Sequence, residues 1–119
     1  MMKILKTLSR VYTENNFDST LAFYETLLGE KQMNRFRYKE YGLELASVGT
    51  LLIIGGSAEA LKPFRETACT FLVDSIHECK TILKENGCEI LREIQRVPTG
   101  YNMTARHVDG TIAEYVEFA

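Results

Sequence analysis

Apolar and polar residues alternate along this chain at two periods, and the period separates strand from helix. Residues 4–13 alternate loosely: Leu8, Arg10 and Tyr12 share one face, and Thr7, Ser9 and Val11 the other. This predicts a first strand. Phe17, Leu21, Tyr24 and Leu28 then recur at helical spacing, which predicts a helix over 18–28. Asn16 or Asp18 can cap its first turn, and Gly29 can take the left-handed conformation that ends it. Three strands follow at 32–38, 43–48 and 50–54, separated by turns at Tyr41-Gly42 and Val48-Gly49. Leu51 to Ile54 is an unbroken apolar run, as expected of a strand buried on both faces.

The second half has the same rhythm. Residues 57–66 form a connection that holds Pro63 and a short helical turn at 58–61. A strand at 69–73 leads to a helix whose Ser75 and Glu78 fit a capping box. Ile76, Cys79, Ile82 and Leu83 make its inner stripe, and Gly87 stops it. A strand at 89–94 and a loop at 96–100 around Pro98 and Gly100 come next. Residues 101–118 read as two strands joined at Asp109-Gly110, a dipeptide that tolerates the positive φ of tight hairpin turns. On the last strand Ile112, Glu114 and Val116 face one side, and Ala113, Tyr115 and Glu117 the other.

The two halves therefore form a repeat of element order: strand, helix ending in glycine, three strands. Gly29 matches Gly87, Leu21 matches Cys79, Tyr24 matches Ile82, and Gly49-Thr50-Leu51 matches Gly110-Thr111-Ile112. One βαβββ unit cannot close a core alone, so two must pack together, within the chain or across a dimer.

Composition removes several functional classes. At 119 residues the chain is one domain's worth, enough for a core without metal or disulfide support. A net charge of −2 gives no nucleic-acid-binding surface. Cys69, Cys79 and Cys88 are odd in number and lack CxxC spacing, which fits free thiols in a reducing compartment. No apolar run suits a signal peptide or a membrane span, so a cytoplasmic protein with no membrane partner is expected.

The doubled unit, with LAFYETLLGE after the first strand and HVDGTIAEYVEF at the end, resembles the vicinal oxygen chelate superfamily. That superfamily includes glyoxalase I, extradiol dioxygenases, fosfomycin-modifying enzymes and bleomycin-binding resistance proteins. The resemblance covers essentially the whole chain. It implies an α+β fold of two βαβββ modules forming a curved, open barrel-like mixed sheet, with module 1 at about 1–56, a linker at 57–66 and module 2 at about 67–119. It also implies a homodimer and a cavity for a small-molecule ligand.

Metal enzymes of the superfamily place ligands on the first and last strands of each module. Carried over, those positions fall on Ser9 or Leu8, on Ile53, on Ala68 or Thr67, and on Glu114. Only Glu114 has a metal-type side chain, and one carboxylate with such neighbours does not hold a divalent ion against water. The expectation is therefore a metal-free branch, with no cofactor, that binds a small organic molecule. The alternative is a lyase, isomerase or dioxygenase that uses Glu114 as base or metal ligand.

Glu114 is the candidate catalytic residue and the first candidate ligand contact; its other reading is an exposed or Arg-paired carboxylate. Arg10 and Tyr12 share the face expected to line the cavity, and Arg10 is the natural partner of Glu114 or anchor for an anion. Tyr101 is expected at the pocket rim, and Arg106 is a further candidate contact. His107 beside its turn and His77 on the second helix read as structural or solvated, and no nucleophile is tied to either.

Overall fold

A computed structural model describes all residues 1–119. Eight strands and three helices follow one another as β1 (Ile4–Glu14), α1 (Phe17–Leu28), β2 (Met33–Tyr38), β3 (Leu43–Val48), β4 (Leu51–Gly56), α2 (Ala58–Leu61), β5 (Thr67–Val73), α3 (Ile76–Glu85), β6 (Glu89–Val97), β7 (Gly100–Arg106) and β8 (Ile112–Phe118). This is the α+β fold of two βαβββ modules that the sequence implies. The chain divides into two compact units, one of Leu8–Glu66 and the other of Thr67–Ala119 together with Met1–Thr7. The first residues join the latter because the Lys3 N–H donates to Asp74 Oδ1 at 2.7 Å and the Asp74 N–H returns to the Lys3 carbonyl at 3.2 Å.

In the unit Leu8–Glu66 the strand order is β2-β3-β4-β1, with β1 and β4 parallel and the other pairs antiparallel. Helix α1 covers one sheet face. Phe17 and Leu21 pack there on Ala46, Val48 and Ile53. The other face is also apolar: Leu8, Leu43, Leu45, Leu52, Ile54 and Leu61 form a second cluster. A strand between two such layers needs apolar side chains of both parities, which accounts for the unbroken Leu51–Ile54 run. Gly29 ends α1 at φ 67°, with its N–H on the Glu25 carbonyl.

In the unit holding Thr67–Ala119 the order is β5-β8-β7-β6, with β5 and β8 parallel. Helix α3 packs Ile76, Cys79 and Leu83 onto Val73, Met103, Ala105, Ala113 and Tyr115. Ser75 Oγ accepts the Glu78 N–H, so the cap at the start of this helix forms. Glu117 Oε1 adds an acceptor from another element by taking the Ile76 N–H at 2.8 Å.

The two units share an irregularity. Three steps along β2, from Met33 to Phe36, span two along β3, from Ser47 to Leu45. Three steps along β6, from Arg92 to Gln95, likewise span two along β7, from Thr104 to Asn102. Each is a β-bulge, which reverses the facing of every residue beyond it.

The expected loop at 96–100 is instead the end of a hairpin. Arg96 pairs with Tyr101 and Val97 with Gly100, so pairing runs up to Pro98-Thr99. Gly100 has φ 146°, and a Cβ there would lie 2.1 Å from the Glu117 carbonyl oxygen. Neither fault has a cheap relaxation, because the obstacle is backbone. Gly100→Ala is expected to lower unfolding stability by at least ~2 kcal/mol, read from the urea midpoint at unchanged m value.

Candidate functional site

Because α3 takes the odd-numbered residues of β5, β7 and β8, the even-numbered ones lie on the opposite face. Those residues are not uniformly apolar. Thr70 pairs with Glu114 across β5 and β8, and Thr104 pairs with Glu114 across β7 and β8. Glu114 is half-buried, whereas Thr70 is 2% and Asn102 5% exposed. Thr70 Oγ1 donates to Glu114 Oε1 at 3.1 Å, and Asn102 Nδ2 donates to Glu114 Oε2 at 3.4 Å. Gln95 Nε2 in turn donates to Asn102 Oδ1 at 3.0 Å. One row of hydrogen bonds thus runs from β6 through β7 to the carboxylate on β8, and a second donor reaches it from β5.

The first unit provides an internal comparison, because its strands have the same register. Arg10 pairs with Leu52 as Thr70 pairs with Glu114. Ser47 pairs with Leu52 as Thr104 does with Glu114, and Phe36 pairs with Leu45 as Gln95 does with Asn102. Glu114, Asn102 and Gln95 therefore correspond to Leu52, Leu45 and Phe36, all members of an apolar cluster or packed on it. Leu52, rather than Ile53, is the counterpart of Glu114. Ile53 faces the other way and is enclosed by Phe17 and Leu21 under α1. On β5 the residue beside Glu114 is Thr70; Ala68 falls in a register shift between Thr67 and Cys69 and is exposed. On β1 it is Leu8, buried in the cluster on the face away from α1, that occupies the interior, while Ser9 is exposed.

The remaining candidates are described unit by unit. In the first unit Arg10 donates from Nη1 to the Tyr12 hydroxyl at 3.0 Å, and that hydroxyl donates to the Phe64 carbonyl. Tyr12, Phe36, Tyr38, Tyr41 and Phe64 pack on the sheet face away from α1, together with Leu61 of α2, with Tyr38 and Tyr41 ring centroids 4.9 Å apart and Tyr41 and Phe64 5.5 Å apart. Tyr101 packs on the α3 side of its sheet, under the Arg96 guanidinium, and so on the face away from Glu114. Arg106 is held at the surface by Glu89 at 2.7 Å. His107 lies beside the β7–β8 turn and hydrogen-bonds the Tyr115 hydroxyl through Nε2. No group of three or more His, Cys, Asp and Glu side chains is gathered in a metal-binding arrangement.

Thr70, Asn102 and Gln95 carry no signal in the sequence. Threonine and asparagine are ordinary on strands, and the bulge that aligns Gln95 with Asn102 leaves no mark in the alternation. A shallow depression of about 450 Å³ also lies in the first unit, lined by Asn16, Phe17, Asp18, Glu44, Gly55 and Gly56. Its two carboxylates are already tied to Arg35, at 2.8 Å from Asp18 and 3.3 Å from Glu44.

No protein-family model matches the chain, and a search of curated proteins finds no match. Solved structures do match. An uncharacterised protein from Methanosarcina mazei is 50% identical, with a TM-score of 0.86 over 98% of this chain and 94% of that one. The chain belongs to the same family as that protein. Methylmalonyl-CoA epimerase from Mycobacterium tuberculosis is 13% identical, with a TM-score of 0.75 over 98% of this chain and 89% of that one. A Streptomyces coelicolor methylmalonyl-CoA epimerase variant in complex with 2-nitronate-propionyl-CoA is 15% identical, with a TM-score of 0.67 over 98% and 99%. These likenesses establish the fold as that of the vicinal oxygen chelate superfamily.

The α3 face is chemically quiet. Burial pushes the Cys79 thiol up to about 11, and it also raises the Tyr115 hydroxyl, which the neighbouring Cys79, Cys69 and Cys88 thiols raise further. At pH 8 a thiol of that pKa is only about one part in a thousand thiolate. Native-state alkylation with iodoacetamide, followed by peptide mass mapping, is expected to label the half-buried Cys69 and Cys88 at least ~10-fold faster than Cys79.

Proposed function

We propose that this protein binds a small organic molecule at the polar row centred on Glu114, and that it does so without a metal ion. The observation that carries this reading is the difference between the two halves. Where one places Leu52, Leu45 and Phe36, the other places Glu114, Asn102 and Gln95 in the same strand register. Polar groups withdrawn from water cost free energy unless they are hydrogen-bonded, and at best roughly break even with apolar packing. A fold that closes with leucine and phenylalanine at these positions has no need of the polar set, which points to recognition.

The donors present support metal-free binding. Thr70 and Asn102 point neutral hydrogen-bond donors at the two carboxylate oxygens, and the counterpart position in the first half is a leucine. A divalent ion would have to displace both donors and would gain one protein carboxylate. A homodimer in the cytoplasm belongs to the same reading. It is supported by β2 and β6, each the last strand of its four, and by Phe23 and Leu27 exposed on α1.

The fold shared with methylmalonyl-CoA epimerases favours a second reading, an isomerase or lyase in which Glu114 accepts a proton from a carbon acid. Thr70 and Asn102 would then hold the carboxylate in one orientation for that transfer. Incubation with methylmalonyl-CoA in deuterated water separates the two: deuterium at the α-carbon supports the enzyme, and its absence supports the binding protein.

Native mass spectrometry of the full chain tests the main reading. The wild-type protein is expected to carry a co-purifying organic adduct, and Glu114→Ala to lose it while still folding cooperatively, with a stability loss of no more than about 3 kcal/mol from the stranded Thr70 and Asn102 donors. An adduct retained equally by both chains would rule the reading out.

A further inference from the structure

The row does not end at Asn102. That side chain is 5% exposed, and its carbonyl oxygen accepts from Gln95 Nε2 at 3.0 Å while its amide nitrogen donates to Glu114. A carboxylate accepts hydrogen bonds only, so Glu114 requires the nitrogen end of Asn102 and turns the oxygen end toward β6. Gln95 supplies a donor to that oxygen. It reaches the position because the β6 bulge matches Arg92-to-Gln95 with Thr104-to-Asn102; without the extra residue, Ile94 would stand opposite Asn102.

The equivalent bulge in the first half brings Phe36 opposite Leu45. An amide at this place is therefore not a requirement of the bulge or of the strand pairing. We propose that Gln95 is a positioning residue of the ligand site: by donating to Asn102 it keeps the Asn102 amide committed to Glu114, and so holds the carboxylate in its binding orientation. This rests on the reading of Glu114 as the ligand contact. With Nε2 committed inward, the other end of the Gln95 amide is an acceptor, suited to a hydroxyl or N–H on the ligand.

Two substitutions separate shape from donation. Gln95→Met keeps the length of the side chain and removes the donor; Gln95→Lys restores a donor on a longer stem. The first readout is hydrogen exchange of the Asn102 side-chain amide, followed by nitrogen–proton NMR on the ligand-free chain. Gln95→Met is expected to speed that exchange at least ~10-fold while backbone amides of β7 keep their protection, and Gln95→Lys to stay within about threefold of wild type. The second readout is the adduct seen by native mass spectrometry, expected to be lost from Gln95→Met and kept by Gln95→Lys. Wild-type exchange in Gln95→Met, or equal loss of protection in both variants, overturns the proposal. So does an adduct held normally by Gln95→Met; if Glu114→Ala still loses it, the Glu114 reading stands and only the role of Gln95 falls.

Discussion

A carboxylate set into the face of a sheet has to be hydrogen-bonded, and the second half of this chain is arranged around that demand. Glu114 takes one donor from β5 and one from β7. Its need for donors makes Thr70 and Asn102 polar although both are almost fully buried. Asn102 then has a carbonyl oxygen to satisfy, and Gln95 on β6 satisfies it. The opposite face of the same strands is free of such constraints and packs as an ordinary apolar layer under α3.

Duplication gives the fold two copies of one strand lattice, down to the bulge in the edge hairpin. In one copy the sheet face away from the long helix became a hydrocarbon and aromatic layer of Leu45, Leu52, Phe36, Tyr38 and Tyr41, packed with Leu61 of α2. In the other it acquired the polar row. Strand order and register are thus compatible with either chemistry, and the side chains alone decide whether a half presents an apolar or a polar face. The fold shared with the epimerases therefore sets where strands run, while the residues on them decide function.

Much of the architecture was legible in the chain. Leu21 and Phe17 at helical spacing, Gly29 as a left-handed stop and Ser75 as a cap each mark a physical need that few residue types meet. Leu28, at the same helical spacing, is 41% exposed, because α1 rests on the sheet mainly through Phe17 and Leu21. The alternation around Glu114 showed its parity correctly, since its neighbours on that face, Ile112 and Val116, are apolar and those between them belong to the α3 side. In Leu51–Ile54 there is no alternation to read, so Ile53 and Leu52 were interchanged, a one-step slip that reverses the facing. Pro98 and Gly100 suggested a longer loop than the two-residue Pro98-Thr99 turn that joins the paired Val97 and Gly100. The other members of the row, Thr70, Asn102 and Gln95, were hidden for another reason: they come from three strands and meet only through pairing register.

The most direct test is to give the second half the chemistry of the first. A chain carrying Glu114→Leu, Asn102→Leu and Gln95→Phe, with Thr70→Val to remove the stranded hydroxyl, should unfold in urea with a free energy within about 1 kcal/mol of wild type or above it. That result would show that the polar row is dispensable to folding, as the binding account requires. A loss of more than about 3 kcal/mol, or a chain that does not fold, would make the row a structural support and contradict the account.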